Sequence, residues 1–287
     1  MDKYFNSYRE MISLRGLTDH TVQSYSTYIK AYFEFLTDII CKSPEEASWD
    51  DMRHFVRWIQ ETRSLSDRTI NAAISQLRFF TIYVLHKPWD DSQLPLRRFD
   101  TYLPYVPSVK EVQLFIDTLP TLKQKTMVAL MYSAGLRVGE VCNLKCSDIL
   151  RSSMRIHISQ TKSRSERYAI LSQKSLDMLN EYWYADRPSG WLFPAKFDSS
   201  KACKTAVLGR QVMEHRERLG LNPKLNCHSF RHAFGTHLYE AGTDLLTIKE
   251  LLGHKSLSST VIYVHLASFS SRSIKSPFDL MGGDILG

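Results

Sequence analysis

The chain has 287 residues, 43% hydrophobic and 23% charged, enough for two buried cores and too balanced for a disordered or low-complexity protein. Its apolar runs fall far short of the roughly 18 residues of a membrane span, and the opening Met-Asp-Lys-Tyr-Phe-Asn-Ser-Tyr lacks the charged-then-apolar order of a signal peptide, so a cytoplasmic protein without a membrane partner is expected. Net charge is +7, yet residues 1–100 carry 13 Lys and Arg against 14 Asp and Glu, so the whole excess lies in residues 101–287 and suits a polyanionic partner there.

Residues 1–90 predict four helices. The first runs from Tyr4 to Leu14 and stops at Gly16. The second opens near Thr18 and sets Val22, Tyr25, Tyr28, Ile29, Tyr32, Phe33 and Leu36 at three- and four-residue steps. Ser48 and Asp51 form a capping box for the third, with Met52, Phe55, Val56 and Ile59 inward. Ser66 begins the fourth, followed by Ile70, Ala73, Ile74, Leu77 and Phe80. Aromatics at this spacing read as core rather than as a base-stacking surface. The polar faces, with Arg68, Asn71 and Gln76, are either solvated surface or contacts to phosphates and bases.

Between Lys87 and Pro107 four prolines and Leu96-Arg97-Arg98 give a stiff segment without helical period, which marks a domain boundary. Ser108 and Glu111 form a second capping box, for a helix through Leu119. Another helix, Thr121 to Ser133, ends at Gly135. Arg137 then opens a short helix, where backbone N–H groups favour an anion; the competing reading is a structural salt bridge to Glu140. Met154–Ile158 and Arg167–Leu171 alternate like paired strands joined by a turn that carries Lys162 and Arg164. A helix from Ser175 to Tyr184 and a long basic helix from about Lys204 to Leu219, carrying Arg210, complete an order of helices, one hairpin, helices.

The stretch from His228 to Tyr263 holds the chemistry. His228 and Arg231 are helix-face neighbours, His254 follows a glycine at a turn, and Tyr263 lies nine residues on in a second apolar helix. Set beside Arg137 and Lys162, these residues read as a nucleophile and cations gathered on one phosphate. His228 and His232 are four apart but lack a third zinc ligand, and Cys41, Cys142, Cys146, Cys203 and Cys227 are too scattered for a zinc knuckle, so no metal is expected.

Ala134-Gly-Leu-Arg-Val-Gly-Glu140, Lys162, His228-Ser-Phe-Arg231-His, Leu252-Gly-His254 and Thr260-Val-Ile-Tyr263-Val-His265 together resemble, in order and spacing, the tyrosine recombinases, or phage integrase family, and most the compact Xer-type, transposon and integron integrases. Thr161 and Ser163 stand where that family often brackets its lysine with glycines. The resemblance implies a mainly α fold with a small β-hairpin or sheet. It comprises a four-helix, SAM-like core-binding domain over 1–90, a linker over 91–107 and a catalytic domain over 108–287. The tail, 268–287, is exchanged in trans between protomers. It implies Tyr263 as nucleophile, Arg137, Arg231 and His254 on the phosphate oxygens, His228 as base, Lys162 as acid and Glu140 in support. No cofactor is required. The implied partner is double-stranded DNA bearing an inverted-repeat core site, bound by a tetramer on two duplexes. Candidate DNA contacts are Arg68, Asn71, Gln76, Arg97, Arg98, Arg164 and Arg210. A DNA-binding accessory protein without cleavage and a type IB topoisomerase-like relaxing enzyme are the alternatives.

Overall fold

The computed structural model describes residues 1–100, 102–159 and 166–267. Two units, Met1–Thr101 and Tyr102–Gly287, each have their own core.

In the first unit, side-chain caps begin three of four helices. Helix α1 spans Asp2–Ser13; α2, Asp19–Asp38, starts at Thr18, whose hydroxyl accepts from the Thr21 amide. Helix α3, Trp49–Arg63, has the Ser48–Asp51 capping box, and α4, Asp67–Tyr83, starts at Ser66. The apolar stripe of α2 packs against α1 and α4. Tyr8, Tyr32, Phe35, Phe55 and Phe80 are wholly buried, and Tyr32–Phe55 and Phe33–Phe80 meet edge to face at 5.1 and 5.4 Å. Burying each such ring stabilises by about 1.5–3 kcal/mol, and each edge-to-face pair adds about 0.5–1.5 kcal/mol.

The second unit is organised around α6, Leu122–Ser133, in which every residue from Thr126 to Met131 is buried. A helix apolar all round must be covered on all sides. Helices α5, Val109–Thr118, α8, Gln173–Asp186, and α10, Cys227–Glu240, cover it. Helix α7, Val138–Cys142, follows α6 through a tight turn. Three antiparallel strands come next: β1, Ile149–Leu150, β2, Arg155–Ile158, and β3, Arg167–Ile170, with Ile156 opposite Ala169. The short β1 enlarges the single expected hairpin to a sheet. A second hairpin, β4, Pro194–Ala195, with β5, Asp198–Ala202, corrects the expected order of elements again. Helices α9, Thr205–Arg218, α11, Leu245–Leu252, and α12, Ser258–Leu266, complete the unit. All five cysteines are free thiols. Among the described residues no helix is long and apolar enough to cross a membrane.

Candidate active site

The turn from α6 to α7 is built on Gly135, at φ +62°. A Cβ there would lie 2.5 Å from the Phe234 ring, so conformation and space both require glycine. The turn delivers Arg137 to the start of α7, one helical turn before Glu140. Glu140 accepts from the Arg137 amide at 2.9 Å and from Arg137 Nη1 at 2.7 Å. The structural salt bridge weighed against a site role for Arg137 is therefore present, and it belongs to a larger cluster. Arg167 Nη2 donates to the same carboxylate at 2.7 Å, and Arg231 Nη1 lies 3.8 Å away. Glu140 is only 5% exposed. Burial pushes its pKa up, but Arg167, the Arg137 amide and the other two guanidiniums more than offset this and hold it below the usual glutamate value.

Arg231 is 1% exposed, an environment an arginine tolerates only when its charge is paired and hydrogen-bonded. Its Nη1 donates to the carbonyl of Gly135 at 2.5 Å and its Nη2 to that of Leu252 at 2.6 Å. Arg167 Nη1 donates to the Leu251 carbonyl at 2.8 Å. Leu251 and Leu252 end α11, and Gly135 lies just past α6. Helix ends leave carbonyls without helical donors and carry partial negative charge, so guanidiniums settle there. Gly253, at φ +64°, ends α11, and a Cβ on it would lie 2.5 Å from Arg167 Cδ. Burial and the adjacent Arg137 lower the pKa of Arg231, while Glu140 opposes them; a guanidinium keeps its charge regardless.

Helix α10 begins at Asn226, whose side chain accepts from the His228 amide at 2.8 Å. It sets His228, Arg231, His232 and Gly235 along one face at steps of three and four. The ring of Tyr263, from α12, lies flat on Gly235; a Cβ there would be 2.5 Å from Tyr263 Cζ. The His254 ring lies nearly parallel to Tyr263 at 6.3 Å, and His232 stands 6.1 Å away with His228 edge-on to it at 4.4 Å. Tyr263 is 1% exposed. Burial pushes its pKa up to about 12, against the pull of Arg231 and Arg137. Burial, helped by neighbouring cations, lowers His254 to about 4 and His232 to about 4, so both are neutral near pH 7.

Arg137, Glu140, His228, Arg231, His254 and Tyr263 thus gather in one region of the second unit. Lys162, Arg164 and the tail 268–287 lie outside the described residues. Arg68, Arg98 and Arg210 are exposed, Arg68 over the Phe99 ring at 5.1 Å. Arg97 donates to Asp67 at 2.9 Å. Two further DNA-contact candidates are likewise occupied internally. Gln76 is buried and accepts from the Tyr8 hydroxyl at 2.7 Å, and Asn71 exchanges a pair of hydrogen bonds with the Arg97 backbone at 2.8 and 2.9 Å. Arg167 and His232 were not anticipated as site residues. Arg167 reads in sequence as one residue of a strand, and only the long-range pairing of β3 with α11 reveals its position.

Residues 108–268 match the model of the phage integrase family, and residues 4–91 match that of its N-terminal SAM-like domain. The chain belongs to the phage integrase family, the tyrosine recombinases. It is 35% identical over 273 residues to the Sinorhizobium fredii protein y4qK, named provisionally as an integrase/recombinase, covering 95% of this chain and 87% of that one. It is 30% identical over 273 residues to tyrosine recombinase XerC of Anoxybacillus flavithermus, covering 88% and 89%. The fold is shared with XerH site-specific recombinase in a post-cleavage complex with palindromic difH substrate, at a TM-score of 0.72 and 20% identity over 86% of this chain and 77% of that one. It is shared also with a lambda integrase dimer bound to a COC′ core site, at 0.72 and 18% over 96% and 79%.

Proposed function

We propose that this tyrosine recombinase is a site-specific DNA strand transferase that cuts and rejoins duplex strands through a 3′-phosphotyrosine on Tyr263. The observation that carries the reading is the seating of a buried phenol beside Arg231 and Arg137, with His254 parallel to it. Attack of the Tyr263 oxygen on phosphorus forms a P–O bond and breaks the bond to the 5′-oxygen. Negative charge grows on the non-bridging oxygens as this happens, and two guanidiniums offer fork geometry to grip them. His254 adds a donor; one such donor is typically worth about 3 kcal/mol. An ordinary phenol is mostly protonated at neutral pH, so the proton must leave, and His228 takes it. Lys162 protonates the departing 5′-oxygen. A 5′-hydroxyl from another duplex then attacks the phosphotyrosine, restoring Tyr263 and the phosphodiester. No bond energy is lost, so the exchange needs no nucleotide.

The DNA site in this reading is an inverted repeat, bound by four protomers on two duplexes, each passing its residues 268–287 to a neighbour. The unit 102–287 holds the cleavage chemistry and the unit 1–101 supplies further contacts through Arg68 and Arg98.

A nicked suicide substrate tests the assignment, because loss of a short 5′ fragment traps the intermediate. Wild-type protein yields a covalent adduct that mass spectrometry maps to Tyr263. Tyr263→Phe binds the same DNA and yields none. An adduct that persists in Tyr263→Phe, or that maps to another side chain, overturns the mechanism.

A further inference from the structure

His254 presents one ring nitrogen to a partner. Its Nδ1 lies 2.9 Å from the hydroxyl of Thr260. Thr260 is 0% exposed, and among the described residues its hydroxyl has no other hydrogen-bond partner. Two arrangements satisfy the distance. If Nδ1 carried the proton and donated it, the threonine's own hydroxyl proton would be left without an acceptor in a site closed to water, which is costly. If the hydroxyl donates to a bare Nδ1, every group is satisfied and the ring proton resides on Nε2. Among the described residues Nε2 has no protein partner, which leaves it available to a substrate oxygen.

We propose that Thr260 is a positioning residue whose hydroxyl, donating to Nδ1, locks His254 in the tautomer that presents Nε2–H to the scissile phosphate. The assignment rests on the strand-transferase reading above and adds to it the origin of the donor's orientation. The bond also spans two elements. His254 follows the glycine that ends α11, whereas Thr260 lies in α12, three residues before Tyr263. The helix that carries the nucleophile therefore also sets the donor that meets the same phosphate. The neutral state of His254 near pH 7 agrees with this, since an imidazolium would carry protons on both nitrogens.

Nitrogen NMR of the full-length, histidine-labelled protein at neutral pH tests the tautomer directly, and suicide-substrate kinetics test its use. The expected results are a protonated Nε2 and a bare Nδ1 on His254. Thr260→Val, which keeps the shape and removes the hydroxyl, is expected to slow adduct formation by about 10–100-fold, by analogy with the loss of a partner that orients a metal-bound histidine. Thr260→Ser is expected to restore most of the rate. An Nδ1-protonated His254 in the wild type overturns the proposal, as does a Thr260→Val protein that cleaves at the wild-type rate. So does a Thr260→Ser protein as slow as Thr260→Val at matched DNA binding and melting temperature. Absence of any wild-type adduct would sink the strand-transferase reading instead, and the NMR tautomer would still decide the role of Thr260.

Discussion

Tyr8 and Tyr32 in the N-terminal unit are as buried as Tyr263 in the catalytic unit, at 0%, 1% and 1% exposed. Burial pushes all three phenols up, and the net rise is larger for Tyr8 and Tyr32 than for Tyr263. The difference lies in what surrounds each hydroxyl. Tyr8 donates to Gln76, with Arg15 offsetting little, and Tyr32 feels the carboxylate of Asp51. Tyr263 feels Arg231 and Arg137 and lies on bare glycine backbone with two imidazoles nearby. Burial by itself makes a phenol inert. A buried phenol among cations is a different object, because those cations favour the anion that burial disfavours.

Four measurements break or sharpen that contrast. Arg231→Lys keeps one charge but abandons the fork that holds Gly135 and Leu252, so adduct formation should fall by about 10²–10³-fold or more; a drop below tenfold would show that charge alone suffices. Gly235→Ala drives a methyl group into the Tyr263 ring, and overpacking of this kind costs about 1–3 kcal/mol. Chemical denaturation should register that loss, together with a rise in Tyr263 fluorescence accessibility to quenchers; an unchanged midpoint would show that the ring is not seated on the glycine. Tyr8→Phe should cost about 1 kcal/mol, one hydrogen bond to Gln76, and leave cleavage untouched; a cleavage defect would erase the distinction between the two regions.

The smallest effect is on pH dependence. His232 and His254 resist protonation in the folded state until about pH 4, whereas unfolded histidine takes its proton near its ordinary value of about 6.5. Between those limits the unfolded chain binds more protons, so stability falls as pH falls from about 6.5 towards 4. Glu140 adds a contribution present above the usual glutamate pKa and lost as pH drops through its lower folded value. Melting temperature followed across that range should decline, and His254→Gln should shallow the slope. A flat profile in the wild type would mean that the imidazoles are hydrated.

Local signals in the sequence carried furthest. The capping boxes at Ser48–Asp51 and Ser108–Glu111 form as spaced, because both partners lie within one turn of chain. Gly135 adopts the left-handed backbone that ends α6, also a local matter. What escaped depends on distant partners. Strand β1 is two residues long and β5 reads Asp-Ser-Ser-Lys-Ala, so neither shows a strand period, and pairing alone makes them strands. Gln76 and Asn71 occupy positions on α4 where polar residues usually meet water, yet Tyr8 and the Arg97 backbone claim them from 68 and 26 residues away. Arg167 and Thr260 escaped for the same reason. The residues that gather around Tyr263 stand out in the sequence through their order along the chain, whereas the groups that hold them in place do not.

The Glu140 cluster has a consequence for the protein without DNA. Arg137, Arg167 and Arg231 converge on one carboxylate, which leaves two formal positive charges uncancelled, met among the described residues by the carbonyls of Gly135, Leu251 and Leu252. In the strand-transferase reading, free tetrahedral oxyanions are expected to bind where the scissile phosphate does. Sulfate or vanadate should compete with the scissile phosphate and raise the melting temperature above that in chloride at equal ionic strength, by mass action on the folded state. The choice of buffer salt thereby becomes a variable of the reaction.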